Sequence, residues 1–270
     1  MTTVTGLDKQ KGILFPPCYA IFIKLRCRYW SLVPAVADTA NNMTVTGLRF
    51  IKRGRVIHPQ IEQARALPEG GIDESTRQWV EPAETFSNDT KVLSDKNNTK
   101  IFMMSYEKRA MDMDTLHAPV GHVLTGIKLR DIGGHLNLEI QVTPVEFATA
   151  KLLSERSTWV ANDNTPATDR PRSLVPIIMP DIPTNFAGYN KVDTDTDEYI
   201  MFDSSSAYKD VSQTTIPFID AQPVAPQPAS WLGGAGLYHK VHEHIQTLVF
   251  SFNNIFRDVW GMEGLLVSKF

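Results

Sequence analysis

From Val123 to Val142 apolar and polar residues alternate along the chain. Leu124, Ile127 and Leu129 are followed, after a turn at Asp131 to Gly134, by Leu136, Leu138, Ile140 and Val142, with His135, Asn137, Glu139 and Gln141 between them. Residues two apart share one face of a strand, so the pattern predicts a half-buried antiparallel hairpin. Gly133 and Gly134 supply the positive backbone angles its turn requires.

The same unit stands upstream. Met43 to Ile61 aligns without a gap on His122 to Ile140, an offset of 79 positions that carries Thr46-Gly47 onto Thr125-Gly126 and Gly54 onto Gly133. One residue of slippage later, Trp79-Val80 falls beside Trp159-Val160. A later apolar segment follows each tryptophan, Lys100 to Tyr106 in one copy and Tyr199 to Asp203 in the other, and each reads as a strand. A third hairpin is expected from Gly236-Leu-Tyr-His to His244 through Phe250, opened by the glycines at 233, 234 and 236.

These strands, separated by glycine turns and nearly free of helical periodicity, predict an all-β protein: tandem β-hairpin repeats forming a β-prism-like or β-sandwich domain. A short amphipathic helix is expected in the tail from Phe252 to Phe270, where Ile255, Phe256, Val259 and Trp260 fall at helical spacing. The stretches Thr165–Ser173 and Ala221–Ala229 are too rich in proline for interior strands and read as surface connections. The organisation that follows is an irregular or signal-like arm over 1–40, a first repeat over 41–121, a second over 122–220, and a proline-rich loop, partial third hairpin and tail over 221–270.

Composition narrows the partners. With 42% hydrophobic residues in 270, the chain has enough apolar side chains for a core. A formal charge of -3 argues against a nucleic-acid binder, which needs a basic face to displace counterions. Two cysteines, Cys18 and Cys27, exclude a disulfide-dense scaffold and a four-cysteine zinc site. The apolar run Ile13–Ile23 is broken by Pro16 and Pro17 and is too short to span a bilayer, so no membrane span is expected. That run, with Lys9 and Lys11 before it and Ala35-Val36-Ala37 after it, supplies the parts of a secretory signal, although Lys24, Arg26 and Arg28 interrupt the order.

No segment carries a nucleophile elbow, a phosphate loop or a dinucleotide fingerprint, and the reading is non-catalytic, with no cofactor. His239, His242 and His244 are candidate zinc ligands, since positions 242 and 244 share a strand face; a metal-dependent hydrolase is the lower functional alternative. Asp193, Asp195 and Asp197 are spaced like the first ligands of a calcium loop, but Glu198 stands where glycine belongs and Ser204 where a bidentate glutamate belongs. Arg49, Lys52, Arg53 and Arg55 make a basic turn that the second copy does not keep. Trp79 and Trp159, at matching positions, read as paired core residues. Asn42, Asn88 and Asn97 head glycosylation sequons that matter if the chain is secreted.

The Thr-Gly hairpin, the run Leu136–Pro144, the stretch Ser157–Pro166 and the segment Ala207–Pro223 together resemble a group of secreted arthropod proteins catalogued only as a domain of unknown function. The resemblance spans about residues 43–240 and implies an extracellular, non-enzymatic setting without naming any site residue. More faintly, the Thr-Gly hairpin is similar to motifs in β-prism lectin-like domains. The expected function is thus an extracellular binding or structural module with a protein or glycan ligand at the loop edge of the hairpins. The lectin-like alternative places Asn137, Trp231 and Tyr238 at the sheet rim as sugar contacts.

Overall fold

The computed structural model describes residues 28–95, 97–162, 172–176, 191–192, 194–204, 215–242 and 245–254. Among them the fold is largely β-sheet, with mixed parallel and antiparallel pairing. The one α-helix described is a single turn, α1 (Thr90–Leu93), capped by Asp89, whose carboxylate accepts from the Lys91 N–H.

Three long hairpins anchor three sheets. Sheet A holds β3 (Met43–Arg53) and β4 (Val56–Ala66), sheet B holds β9 (His122–Ile132) and β10 (His135–Glu146), and sheet C holds β19 (Leu232–His242) and β20 (Ile245–Asn254). Gly54, Gly133 and Gly134 take positive φ in the first two turns. Each first strand carries a bulge just before a glycine: the register skips Thr46 before Gly47, Thr125 before Gly126, and Gly233 before Gly234. At the bulge the Thr46 hydroxyl donates to Glu62, and the Thr125 hydroxyl donates to Gln141.

Short strands complete the sheets and tie them together. In sheet A, β1 (Tyr29–Ser31) runs parallel to β4 and antiparallel to β6 (Ile101–Met103), while β5 (Ile72–Trp79) pairs with the far end of β4. In sheet B, β7 (Ala110–Met113) runs parallel to β10 and antiparallel to β15 (Glu198–Met201), and β12 (Thr158–Ala161) and β11 (Lys151–Leu152) pair with the end of β10. In sheet C, β18 (Phe218–Ile219) runs parallel to β20, and β14 (Lys191–Val192) flanks β19. At the margins, β13 (Ser173–Leu174) lies beside β15, and β16 (Asp203–Ser204) pairs with β17 (Thr215–Ile216).

After three of the parallel strands, β1, β7 and β18, the chain passes to another sheet. After Trp30 in sheet A, the chain enters β2 (Ala35–Val36), and Ala35 pairs with Ile127 of sheet B. After Met111 in sheet B it enters β8 (Thr115–His117), and Leu116 pairs with Ala235 of sheet C. After Ile219 in sheet C it reaches Val224, which bridges back to Leu48 of sheet A. Leu48, Ile127 and Ala235 each stand two positions beyond the bulge residue.

Those partners face one core. Val45, Leu124 and Leu232, then Leu48, Ile127 and Ala235, then Phe50, Leu129 and Leu237, are all buried in a single hydrophobic cluster that also takes Trp30, Met111 and Phe202. The bulge takes up the odd step between the first and second residue of each strand and alternation sets the third, so all three share a face, and burying them supplies the main driving force for the three sheets to close on one another.

Three expectations change. Residues 28–37, read as part of an irregular arm, instead carry β1 and β2, with Tyr29 and Trp30 buried. Position 121 is not a boundary in space: β7 precedes it but belongs to sheet B, and β8 to sheet C. Residues 252–254, placed at the start of a helix, end strand β20, and the rest of that tail lies outside the described residues.

Candidate functional site

Sheets A and B each set a parallel and an antiparallel short strand beside a long hairpin, so their outer faces can be compared through the strand registers. Four neighbouring positions differ in kind. Sheet A presents Ser31, Val56, His58 and Ile101; the positions in the same register of sheet B are Asp112, His135, Asn137 and Tyr199.

In sheet A this face is roofed with apolar groups. Phe86 and Leu93, from the segment after β5, pack with Tyr29, Val56 and Ile101, and Phe86 stacks on His58 at 5.7 Å. In sheet B the roof is ionic. Arg172, only 3% exposed at its side chain, places its fork on Asp114, with Nη2 at 2.8 Å from Oδ2 and Nη1 at 2.9 Å from Oδ1, and its Nε lies 3.3 Å from Asp112. Asn162 donates to both Asp114 and Asp197. Asn137 donates from its amide nitrogen to Asp112 at 3.1 Å and to the Asn162 carbonyl at 3.0 Å. The two acceptors fix the orientation of that amide and leave Asn137 Oδ1, fully buried, without a hydrogen-bond partner.

Burial pushes the Asp114 carboxyl above the usual carboxylate range; the Arg172 guanidinium pulls it back, and the neighbouring Asp112 adds to the rise. A buried ion cluster of this kind costs desolvation that an apolar roof, such as the one over sheet A, does not.

Only the margin of the cluster reaches the surface. His135 Nδ1 sits 2.7 Å from Asp112 Oδ1, and its ring is 4.9 Å from that of Tyr199; both residues are half-buried. The carboxylate engages Nδ1, which leaves Nε2 as the ring nitrogen open to a further bond.

The positions read from the sequence fall elsewhere or take other roles. Asn137 belongs to the cluster, but it is buried rather than at a rim. Trp231 is 1% exposed, packs edge-on against Phe147 and donates its indole N–H to Gly71. Tyr238 is also buried, its hydroxyl against that of Thr115. Tyr238 lies within β19, whereas Trp231 precedes that strand and packs with Ala66, Val123, Ala150 and Leu152. His239 is buried at an alternate position to Ala235 and Leu237, on the face those core residues use. The His242 side chain and all of His244 lie outside the described residues, and among the described residues no cluster of three metal-ligating side chains occurs. Asp193 is likewise outside them, while the Asp195 carboxylate accepts from the Thr196 N–H and the Asp197 carboxylate from the Asn162 amide.

Trp79 and Trp159 are half-buried on the outer faces rather than in the core. Each lies under a cation, Arg49 or Lys128, both at 4.0 Å from the ring centroid. Sheets A and B thus carry the same cation–ring contact. In the basic turn, Arg53 pairs with Glu81 while Lys52 and Arg55 are exposed. Asn88 and Asn97 are exposed, but the Asn42 amide is occupied on both sides, donating to the Ala150 carbonyl and accepting from the Leu152 N–H.

Sequence reasoning missed Asp112, Asp114, Asn162, Arg172, His135 and Tyr199. One signal was available: the gapless alignment sets Val56 opposite His135, an exchange of an apolar residue for an imidazole within a kept pattern. No described helix is long and apolar enough to cross a membrane. Compared with known proteins, the sequence matches no family model and no curated protein.

Proposed function

We propose that the chain is a binding module of prism-like, three-unit construction whose recognition surface is the outer face of sheet B. The cyclic handing of β1–β2, β7–β8 and the segment from β18 to Val224 to successive sheets supports the three-unit reading. One observation carries the functional part: at four adjacent positions where sheet A uses Ser31, Val56, His58 and Ile101, sheet B uses an acid, an imidazole, an amide and a phenol. The fold itself does not require them, because sheet A closes with an apolar roof. Their desolvation cost is therefore spent on something other than folding.

Binding fits better than catalysis. The acids face Arg172 and Asn162 rather than a cleft, and they serve to hold His135 in place. A nuclear magnetic resonance screen of the whole chain against a library of amines, carboxylates, nucleotides, amino acids and polyols tests the assignment. Shifts clustered on residues 108–113, 132–139 and 197–201 are the expected result; hits confined to the matching face of sheet A, or none at any face, overturn it.

The same proposal places the chain outside the cell, supported by exposed Asn88 and Asn97 between β5 and β6, where a sugar disturbs no strand. Enzymatic deglycosylation of the natively expressed protein is expected to raise its gel mobility, and an unchanged band argues against glycans at these sites.

A further inference from the structure

Resting on that reading of sheet B, we infer that the exposed margin of the site takes a neutral hydroxyl-rich ligand, a saccharide or similar polyol, between His135 and Tyr199. The chemistry follows from what each group has left to offer. Asp112 occupies His135 Nδ1, so Nε2 is the ring nitrogen left for a ligand, and a hydroxyl meets it whichever partner donates. Tyr199 adds a phenol that both donates and accepts, and a ring face for C–H groups; the two rings meet at 45°, forming a shallow aromatic wedge.

Charge selects among partners. Asp112 and Asp114 are buried and engaged by Arg172, so an ammonium at the margin finds no exposed carboxylate of this pair to meet. An anion gains little either, because the Arg172 guanidinium is equally enclosed. What remains is a neutral partner with alternating hydroxyls and C–H patches.

Sheet A supplies the replacements. It carries Val56 and Ile101 where sheet B carries His135 and Tyr199, so His135→Val with Tyr199→Ile uses side chains that the same register accepts there beneath an apolar roof. Asp112 keeps Arg172 and Asn137 in that variant.

The experiment titrates methyl glycosides of glucose, galactose, mannose and N-acetylglucosamine, and free inositol, into the full chain while the ring signals of His135 and Tyr199 are followed. Ethanolamine and acetate are the charged comparisons. The expected result is saturable movement of both rings with at least one neutral compound, weakened about tenfold or more in the double variant. The inference is overturned if ethanolamine or acetate moves these rings and no polyol does, an outcome that leaves the recognition surface standing. It is also overturned if a polyol binds equally well to the double variant. Silence of the rings toward every compound overturns this inference and leaves the surface itself to the wider screen.

Discussion

At the scale of single residues, a side chain's role is decided by what its neighbours already satisfy. Asn42 sits at φ +64 and matches Gly121 at φ +77 in the second copy; the backbones beyond them agree too, since Ala66 N–H bonds to Asn42 and Val145 N–H to Gly121. Asparagine is tolerated there because its short amide bonds to Ala150 and Leu152. Asn42→Ala loses both bonds and strains the backbone, an expected cost of about 2–4 kcal/mol, whereas Asn42→Gly relieves the strain and costs about 1–2 kcal/mol. Urea denaturation midpoints separate the two.

His58 gives a pH dependence of definite sign. Burial, with Arg53 nearby, lowers its pKa from 6.5 in the folded chain. Above 6.5 neither state holds the proton and the residue is neutral toward stability; as pH falls through 6.5 the unfolded chain takes up a proton that the folded one resists, and stability drops. His58→Leu removes this contribution. The variant's stability relative to the parent is therefore expected to rise between pH 7 and pH 5, as read by denaturation at each pH, and a constant difference would contradict the burial argument.

At the scale of elements, the bulge glycines mark where one sheet receives a strand from another. A Cβ on Gly234 would stand 2.2 Å from the Leu116 carbonyl oxygen, which is backbone of the incoming β8 and cannot move aside. On Gly126 it would meet the Ala35 carbonyl at 3.0 Å, and on Gly47 the Ala225 Cβ at 3.0 Å. Gly234→Ala is accordingly expected to cost more than about 3 kcal/mol, and Gly126→Ala and Gly47→Ala about 1–2 kcal/mol each, measured by thermal or urea unfolding. The same comparison explains what the sequence disclosed. The hairpins were legible because period-two alternation and a turn glycine are local signals, strong over the eleven or twelve residues of β3, β4, β9 and β10. The handed-over strands were not: β2 has two residues and β8 three, too few for alternation, and their partners lie far along the chain. The polar cluster was hidden for a related reason, because Arg172 comes from a proline-rich stretch that reads as a surface connection, and nothing near it in sequence names Asp112 and Asp114 as its partners.

At the scale of the whole molecule, the cyclic hand-over makes the sheets hard to separate. Sheet A lends β2 to sheet B, sheet B lends β8 to sheet C, and Val224, after sheet C's β18, returns to Leu48. Removing any one sheet exposes the shared cluster of Leu48, Ile127 and Ala235 and leaves an orphaned strand edge on a neighbour. Residues 41–121 and 122–220 therefore do not unfold as independent units, and calorimetry is expected to show one transition with equal calorimetric and van't Hoff enthalpies. Trp30 tests this from β1, which lies between β4 and β6 in sheet A. It is buried in sheet A, edge-on to Phe50 at 5.6 Å and tilted on Phe202, which follows sheet B's β15, at 5.9 Å. Trp30→Ala is expected to cost about 3–5 kcal/mol. If the ring of strands is one cooperative body, hydrogen exchange in that variant accelerates by a similar factor in β3, β10 and β19; loss of protection in β3 and β4 alone would show that sheet A opens without the others.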